Sequence, residues 1–199
     1  MDLTRLQKNL EALGYTYRYF PTAQGAVGYL TARLAGKTIG IGGSVSIDSL
    51  GLYEKLSEQN TVHWHWKTPG PETLAQAAQA QVYLTSVNAI AETGELLNID
   101  GTGNRISAAL GAHELVCYLV GINKVAEDFD KALWRARNVA APLNARRLQR
   151  KTPCALKEEL KCYNCKSPDR ICNGLSVLWR PMGGVQETQV ILVGEELGY

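Results

Sequence analysis

Leucines recur at helical spacing at the start of the chain. Leu3, Leu6, Leu10 and Leu13 share one face over residues 2–13, with Asp2 placed to cap that helix and Gly14 to end it. The same rhythm returns over 22–35, where Thr22 is the cap, Val27, Leu30 and Leu34 form the stripe, and Gly36 is the stop. A short β-type run, Lys37–Ile41, then breaks into Gly42-Gly43-Ser44, and a helix carrying Leu50, Leu52 and Leu56 begins near Ser46 or Asp48. Further β-type runs occupy 62–66, 81–90, 115–121 and 188–193, with a hairpin over 91–100 that turns at Thr93-Gly94. Helices are expected over 71–80, opened by Pro71, and over 125–140, where Val125, Phe129, Leu133 and Ala136 are in register. A shorter helix follows the glycines at 101–103. Strands alternating with helices predict an α/β fold with a mainly parallel sheet covered on both faces.

The length of 199 residues suits one domain, 1–199, with a Cys-bearing segment at 151–175. No apolar run approaches the roughly 20 residues of a membrane span, so no membrane partner is expected. The opening Met1-Asp2-Leu3-Thr4-Arg5 lacks the basic-then-apolar pattern of a signal peptide, which points to a cytoplasmic protein. A net charge of +2 argues against a dedicated nucleic-acid binder. That average conceals an uneven distribution. Residues 134–180 hold 11 Lys and Arg against 3 Asp and Glu, a net of +8, while the remainder holds 10 against 16, a net of −6. Four of the five cysteines fall in the basic part.

Three glycine-rich or polar runs fall at the carboxyl ends of expected strands, where open parallel sheets bind ligands. In Gly40-Ile41-Gly42-Gly43-Ser44 the backbone amides favour an anion, or the glycines only make a tight strand-to-helix turn. In Glu92-Thr93-Gly94 and Asp100-Gly101-Thr102-Gly103-Asn104-Arg105, Arg105 is a bidentate clamp for a carboxylate or phosphate and Glu92 an acid, base or nucleophile; the alternative is a hairpin turn and a surface ion pair. Gly121-Ile122-Asn123-Lys124 adds two donors, unless Lys124 is a solvated charge at a helix start. Together these runs predict a small anionic ligand cradled by Gly42, Gly43 and Ser44, neutralised by Arg105 and Lys124, and oriented by Asn104 and Asn123. Thr93, Gly94, Gly101, Thr102 and Gly103 complete the candidate set, and Glu92 is the acid–base candidate.

Cys154, Cys162, Cys165 and Cys172 follow a C-x7-C-x2-C-x6-C spacing. Four thiolates in one compact segment suit Zn²⁺ or an iron–sulfur cluster, and the surrounding Lys and Arg offset their charge. Reduced or redox-active thiols, and disulfides, are the other readings. Cys117 sits in an apolar run and is expected to be an inert core residue. His63 and His65 share one strand face, as a metal pair or as part of a half-buried strand. His113 lies in a turn with no evident partner. Arg135, Arg137, Arg146 and Arg147 form either an anion-binding face or a solvated helix face.

The ordered set of motifs resembles the LUD-domain family, the lactate-utilization proteins. It comprises Gly42-Gly43-Ser44, Glu92-Thr93-Gly94, Gly101-Thr102-Gly103-Asn104-Arg105 and Gly121-Ile122-Asn123-Lys124. It continues through Ala140-Ala141-Pro142-Leu143-Asn144-Ala145-Arg146, Thr152-Pro153-Cys154, Ser167-Pro168-Asp169-Arg170-Ile171-Cys172 and Leu197-Gly198-Tyr199. The chain is most similar to stand-alone, single-domain members with a C-terminal Cys segment. The resemblance implies a three-layer Rossmann-like fold related to ribose-5-phosphate isomerase and the CoA transferases. It also implies a role in, or accessory to, the metabolism of lactate or related organic acids in bacteria. A metal- or redox-sensing module built on the four cysteines is the alternative, as is a non-catalytic subunit of a larger complex. A second copy of the chain (a homo-oligomer) or metabolic partner proteins are the expected macromolecular partners.

Overall fold

The computed structural model describes residues 1–199. Helix α1 (Leu3–Leu13) starts where the Asp2 carboxylate accepts from the Arg5 amide and ends at Gly14, whose φ of 97° is one that only glycine adopts without strain. Strand β1 (Thr16–Phe20) follows and leads into α2 (Ala23–Arg33), capped by Thr22. Then come β2 (Thr38–Ile41), the short helices α3 (Val45–Asp48) and α4 (Leu52–Ser57), β3 (Thr61–Trp64), α5 (Pro71–Ala78) and β4 (Val82–Thr85). The second half runs through β5 (Ala89–Ala91), β6 (Leu96–Asp100), α6 (Asn104–Ala109), β7 (Leu115–Gly121) and β8 (Val125–Ala126). It ends with α7 (Phe129–Arg135), α8 (Ala141–Arg147), α9 (Pro153–Leu156), β9 (Gly174–Leu178) and β10 (Glu187–Val193).

Six strands form one parallel sheet in the order β1-β10-β7-β4-β2-β3. Alternate residues of its strands supply two separate cores. Leu115, Cys117, Leu119, Ile191 and Val193 meet Val27 and Leu30 of α2, Ile47 of α3, and Leu52 and Leu56 of α4. Val116, Tyr118, Val120, Val190 and Leu192 meet Leu6 and Leu10 of α1, Ala77 of α5, and Ala108 and Ala109 of α6. Helices therefore cover both faces, giving the three-layer, Rossmann-like arrangement. Each fully buried aliphatic side chain contributes roughly 1.5–3 kcal/mol to holding these layers together. A second sheet, β8-β5-β6-β9, carries α7 through a small core of Ala89, Ala91, Leu97, Ala132 and Ala136.

Three elements depart from expectation. Strand β1 was not anticipated; it is an edge strand paired only with β10, and its Arg18 and Tyr19 face solvent. The run over 81–90 is two strands, not one. The chain leaves the large sheet after Thr85 and joins the small one at Ala89, and the Asn88 side chain marks the change by accepting from the Ile99 amide at 2.7 Å. The helix expected over 125–140 begins later and ends later. Val125 and Ala126 pair with β5, and Asp128 caps α7 by accepting from the Lys131 amide at 2.8 Å. Helical backbone then continues through a π-helical stretch, Ala136–Ala140, into α8. Pro142 has no N–H to give to residue 138, and the wider turn just before it absorbs that break.

Candidate functional site

Strands β2 and β3 run out in one direction along the sheet, and the chain then crosses back to place β4 on the other side of β2. The carboxyl ends of β2 and β4 thus diverge, and a cleft of about 230 Å³ lies there. Its residues come from the turns after β2 (Gly43 to Ser46), β3 (His65, Trp66), β4 (Ser86 to Asn88), β6 (Asp100 to Thr102) and β7 (Lys124). Helix α6 adds Asn104 and Arg105, and α8 with the residues after it adds Ala141, Asn144, Arg147, Leu148 and Arg150. Four basic side chains, Arg105, Lys124, Arg147 and Arg150, face one carboxylate, Asp100.

Each charge is fixed locally. The Asp100 carboxylate accepts from the amides of Thr102 and Gly103, both at 3.0 Å, and so shapes its own loop. Its other oxygen accepts from Arg105 Nε at 3.2 Å, while Arg105 Nη2 reaches the Ile99 carbonyl at 2.8 Å. Arg147 stacks over the Trp66 ring, 5.1 Å from its centroid, and is braced by the Asn144 side-chain oxygen at 2.9 and 3.1 Å. Arg150 pairs with Asp169 at 3.2 Å. Burial lowers the pKa of the His65 imidazole, against the pull of Asp100.

Lys124 is the buried cation of the cleft, only 4% exposed. Its Nζ donates to Ser46 Oγ at 2.7 Å and Ser86 Oγ at 2.9 Å, and no carboxylate is within ion-pair distance. Loss of water, with the Arg135 and Arg105 guanidiniums nearby, brings the amine down to about 7. Gly198 covers one side; with φ at +61°, a Cβ there would lie 2.7 Å from Ser46 Oγ and 3.7 Å from Lys124 Nζ.

The structure brings Gly43, Ser44, Gly101, Thr102, Asn104, Arg105 and Lys124 together around this cleft. It places others elsewhere. Glu92 is buried against α1, where it accepts from the Asp2 amide at 2.7 Å and pairs with Arg5 at 3.5 Å. Thr93 bonds to Glu95, and Gly94 fits under Leu13, so this turn is an anchor for the first helix. The expectation that Glu92, Thr93 and Gly94 converge with the other motifs is therefore corrected. Asn123 turns away too: it accepts from the Leu197 amide at 3.1 Å and donates to the Gly198 carbonyl at 3.4 Å, pinning the segment that covers Lys124. Gly42 packs under Arg105 and Tyr83, and Gly103 is the left-handed residue before α6; neither lines the cleft. His63 stays in β3 and only His65 reaches the cleft, so the two do not act as a pair. His113 finds two partners, the carbonyls of Ala80 and Ala108.

The arginines expected on one face go to separate places. Arg147 lines the cleft, Arg135 ties together the carbonyls of Asn123 and Asn88, and Arg146 holds those of Cys154, Lys157 and Glu158. Arg137 reaches the Cys162 sulfur at 3.7 Å. Sequence reasoning missed Ser46, Ser86, Asn88, His65, Asp100 and Arg150 as cleft residues. The serines carry no motif of their own, and only their position just past β2 and β4 could have signalled them.

Cys154, Cys162, Cys165 and Cys172 are free and partly exposed, and all four border a second cavity of about 300 Å³. Arg170 closes one side by donating to the carbonyls of Cys165 and Cys172. No three His, Cys, Asp or Glu side chains stand grouped closely enough to hold one metal ion. Ile99, Ala141 and Ile171 line both this cavity and the cleft, so the two share a wall. Cys117 is wholly buried in the large sheet, and its thiol pKa is pushed up by burial. No helix is long and apolar enough to cross a membrane.

No curated protein matches the chain. Among solved structures it is similar to a DUF162 family protein from Deinococcus radiodurans. The TM-score is 0.59 and the identity 15%, with 96% of this chain and 95% of that one covered, which is a likeness of fold. The LUD-domain model matches residues 3–193, nearly the whole chain. The chain therefore belongs to the LUD-domain family, which is associated with lactate utilization.

Proposed function

We propose that the chain is a cytoplasmic protein that binds a small anionic metabolite of the organic-acid class in the cleft between β2 and β4. The observation that carries this reading is the imbalance of side-chain charge: Arg105, Lys124, Arg147 and Arg150 converge there with Asp100 as the one side-chain carboxylate. A guanidinium already stacked and braced, as Arg147 is, loses little freedom on binding a carboxylate. Gly43 lets a ligand approach the backbone, and Ser44, Asn88, Asn104 and Asn144 offer neutral donors to orient it. A cleft of about 230 Å³ suits a compact acid. Isothermal calorimetry with lactate, pyruvate, a sugar phosphate and a CoA ester tests this. Binding that weakens about tenfold or more in Arg147→Ala supports the cleft, since a lost charge-assisted hydrogen bond costs roughly 1.5–3 kcal/mol. Absence of binding to every probe, or affinity unchanged in both Arg147→Ala and Arg105→Ala, would overturn the assignment.

A second reading rests on the four thiols that border one cavity. Four thiols on one segment are the donor type of a thiolate-bound centre, but Cys154, Cys162, Cys165 and Cys172 would have to draw closer together than they stand to hold one ion. Arg137, bonded to the Cys162 sulfur, offsets thiolate charge. Zinc there would brace the segment, whereas an iron–sulfur cluster would supply one-electron chemistry. Elemental analysis and an absorption spectrum on anaerobically purified protein decide between them. Metal-free protein with four freely titrating thiols counts against both.

A further inference from the structure

A lysine ordinarily keeps its ammonium in water or against a carboxylate. Lys124 does neither. It is buried at the floor of the cleft, and its hydrogen-bond partners are two serine hydroxyls. Those hydroxyls differ. Ser46 donates its own proton to the Leu197 carbonyl at 3.1 Å, so toward Nζ it accepts. Ser86 Oγ has Lys124 as its one hydrogen-bond partner, which leaves its proton uncommitted. Asp100 is engaged by Arg105 and by its own loop, so no side-chain carboxylate of the cleft is free to pair with an ammonium here. The Leu197–Gly198 segment closes one side of the amine, and the remaining side opens to the cleft.

We infer that Lys124 is a nucleophilic amine that captures the carbonyl of a small 2-oxo acid as an imine. This rests on the anion-binding reading of the same cleft and narrows it to acids that carry a ketone or aldehyde beside the carboxylate. Arg147 and Arg105 take the carboxylate, which brings the neighbouring carbonyl carbon down toward Nζ. The Nζ lone pair forms the C–N bond as the carbonyl π pair moves to oxygen, and one proton passes from nitrogen to that oxygen through the Ser86 hydroxyl. The carbinolamine then loses its hydroxyl together with the second nitrogen proton. One water leaves and a C=N bond remains. The lowered pKa of this amine leaves a substantial unprotonated share near neutral pH, which the first step requires.

Borohydride reduces such an imine to a stable secondary amine, which mass spectrometry locates. The full chain is incubated with pyruvate or glyoxylate and borohydride, with lactate as the matched acid that has a hydroxyl in place of the carbonyl. The expected result is one adduct per chain, mapped to Lys124, from the oxo acids and none from lactate. Lys124→Met loses the adduct, and Ser86→Ala, which keeps the amine, forms it more slowly. Calorimetry in parallel separates the two readings. Oxo-acid binding with no adduct overturns the imine and leaves the anion cleft standing. Neither binding nor adduct overturns both. Label spread over exposed lysines, or equal in Lys124→Met, also overturns the imine.

Discussion

Lys124 ties the chemistry of the cleft to the stability of the whole chain. In an unfolded chain the amine holds its proton up to its ordinary value of 10.5, whereas in the fold it releases it near 7. Between those values the unfolded state binds more protons, so stability rises with pH across this window. Below pH 7 both states are protonated and the cost of burying the ammonium is present in full. Lys124→Met removes this dependence. Urea unfolding at pH 7 and 9 is expected to show wild type gaining on the variant, with a limiting slope of about 1.4 kcal/mol per pH unit. Parallel behaviour of the two proteins contradicts the account. Above pH 10 the buried Tyr83 and Tyr118, whose pKa values burial raises, act in the opposite direction. Lys124 and Arg105 were legible in the sequence because both follow strands that end in polar, glycine-bearing turns. Glu92 was not, because a turn between two strands can face either the cleft or a neighbouring helix. Only the packing of Leu13 and Arg5 of α1 decides it.

Secondary structure was readable where one physical signal dominated. The leucine stripes of α1 and α2 and the seven wholly buried residues of β7 have no competing interpretation. It was not readable where backbone partners decide, as at Ser86–Asn88, where an apolar run passes from one sheet to another. The helix expected over 125–140 likewise runs further, since a wider turn carries helical backbone past Pro142. Two substitutions test how tightly these pieces are held. Strand β2 and helix α5 touch at Gly40, where a Cβ would lie 2.2 Å from the Ala77 carbonyl. Gly40→Ala is expected to cost roughly 1–3 kcal/mol in thermal unfolding, the usual range for overpacking; a melt unchanged from wild type would contradict this contact. Asp128→Ala removes the cap of α7 and should cost about 1 kcal/mol. Because α7 leads directly into the helix bearing Arg147, calorimetry on Asp128→Ala also reports how far fraying at one end disturbs the cleft at the other.

The molecule keeps its architecture at 15% identity to the DUF162 structure over nearly the full length of both chains. That is what layered packing permits: two cores on either face of one sheet fix the fold, and loops at the strand ends vary freely. The basic quarter of the sequence looked like an appendage to an acidic body. In the fold it is divided instead. Arg147 and Arg150 turn to the cleft, while Arg137, Arg146 and Arg170 organise the cysteine cavity. Replacing the four cysteines one at a time is therefore expected to spare the calorimetric anion affinity that the proposed function predicts, whereas Ile171→Ala is expected to reduce it; equal effects would contradict this division. Gly101 lies against Ile171, close enough that a Cβ would come within 2.9 Å of the Ile171 carbonyl. The cysteine loop is thus built into the side of the cleft. A descendant of this chain that discarded residues 151–173 would give up more than four sulfurs. It would also take Ile171 out of the wall of the cleft, so neither cavity keeps its shape without the other.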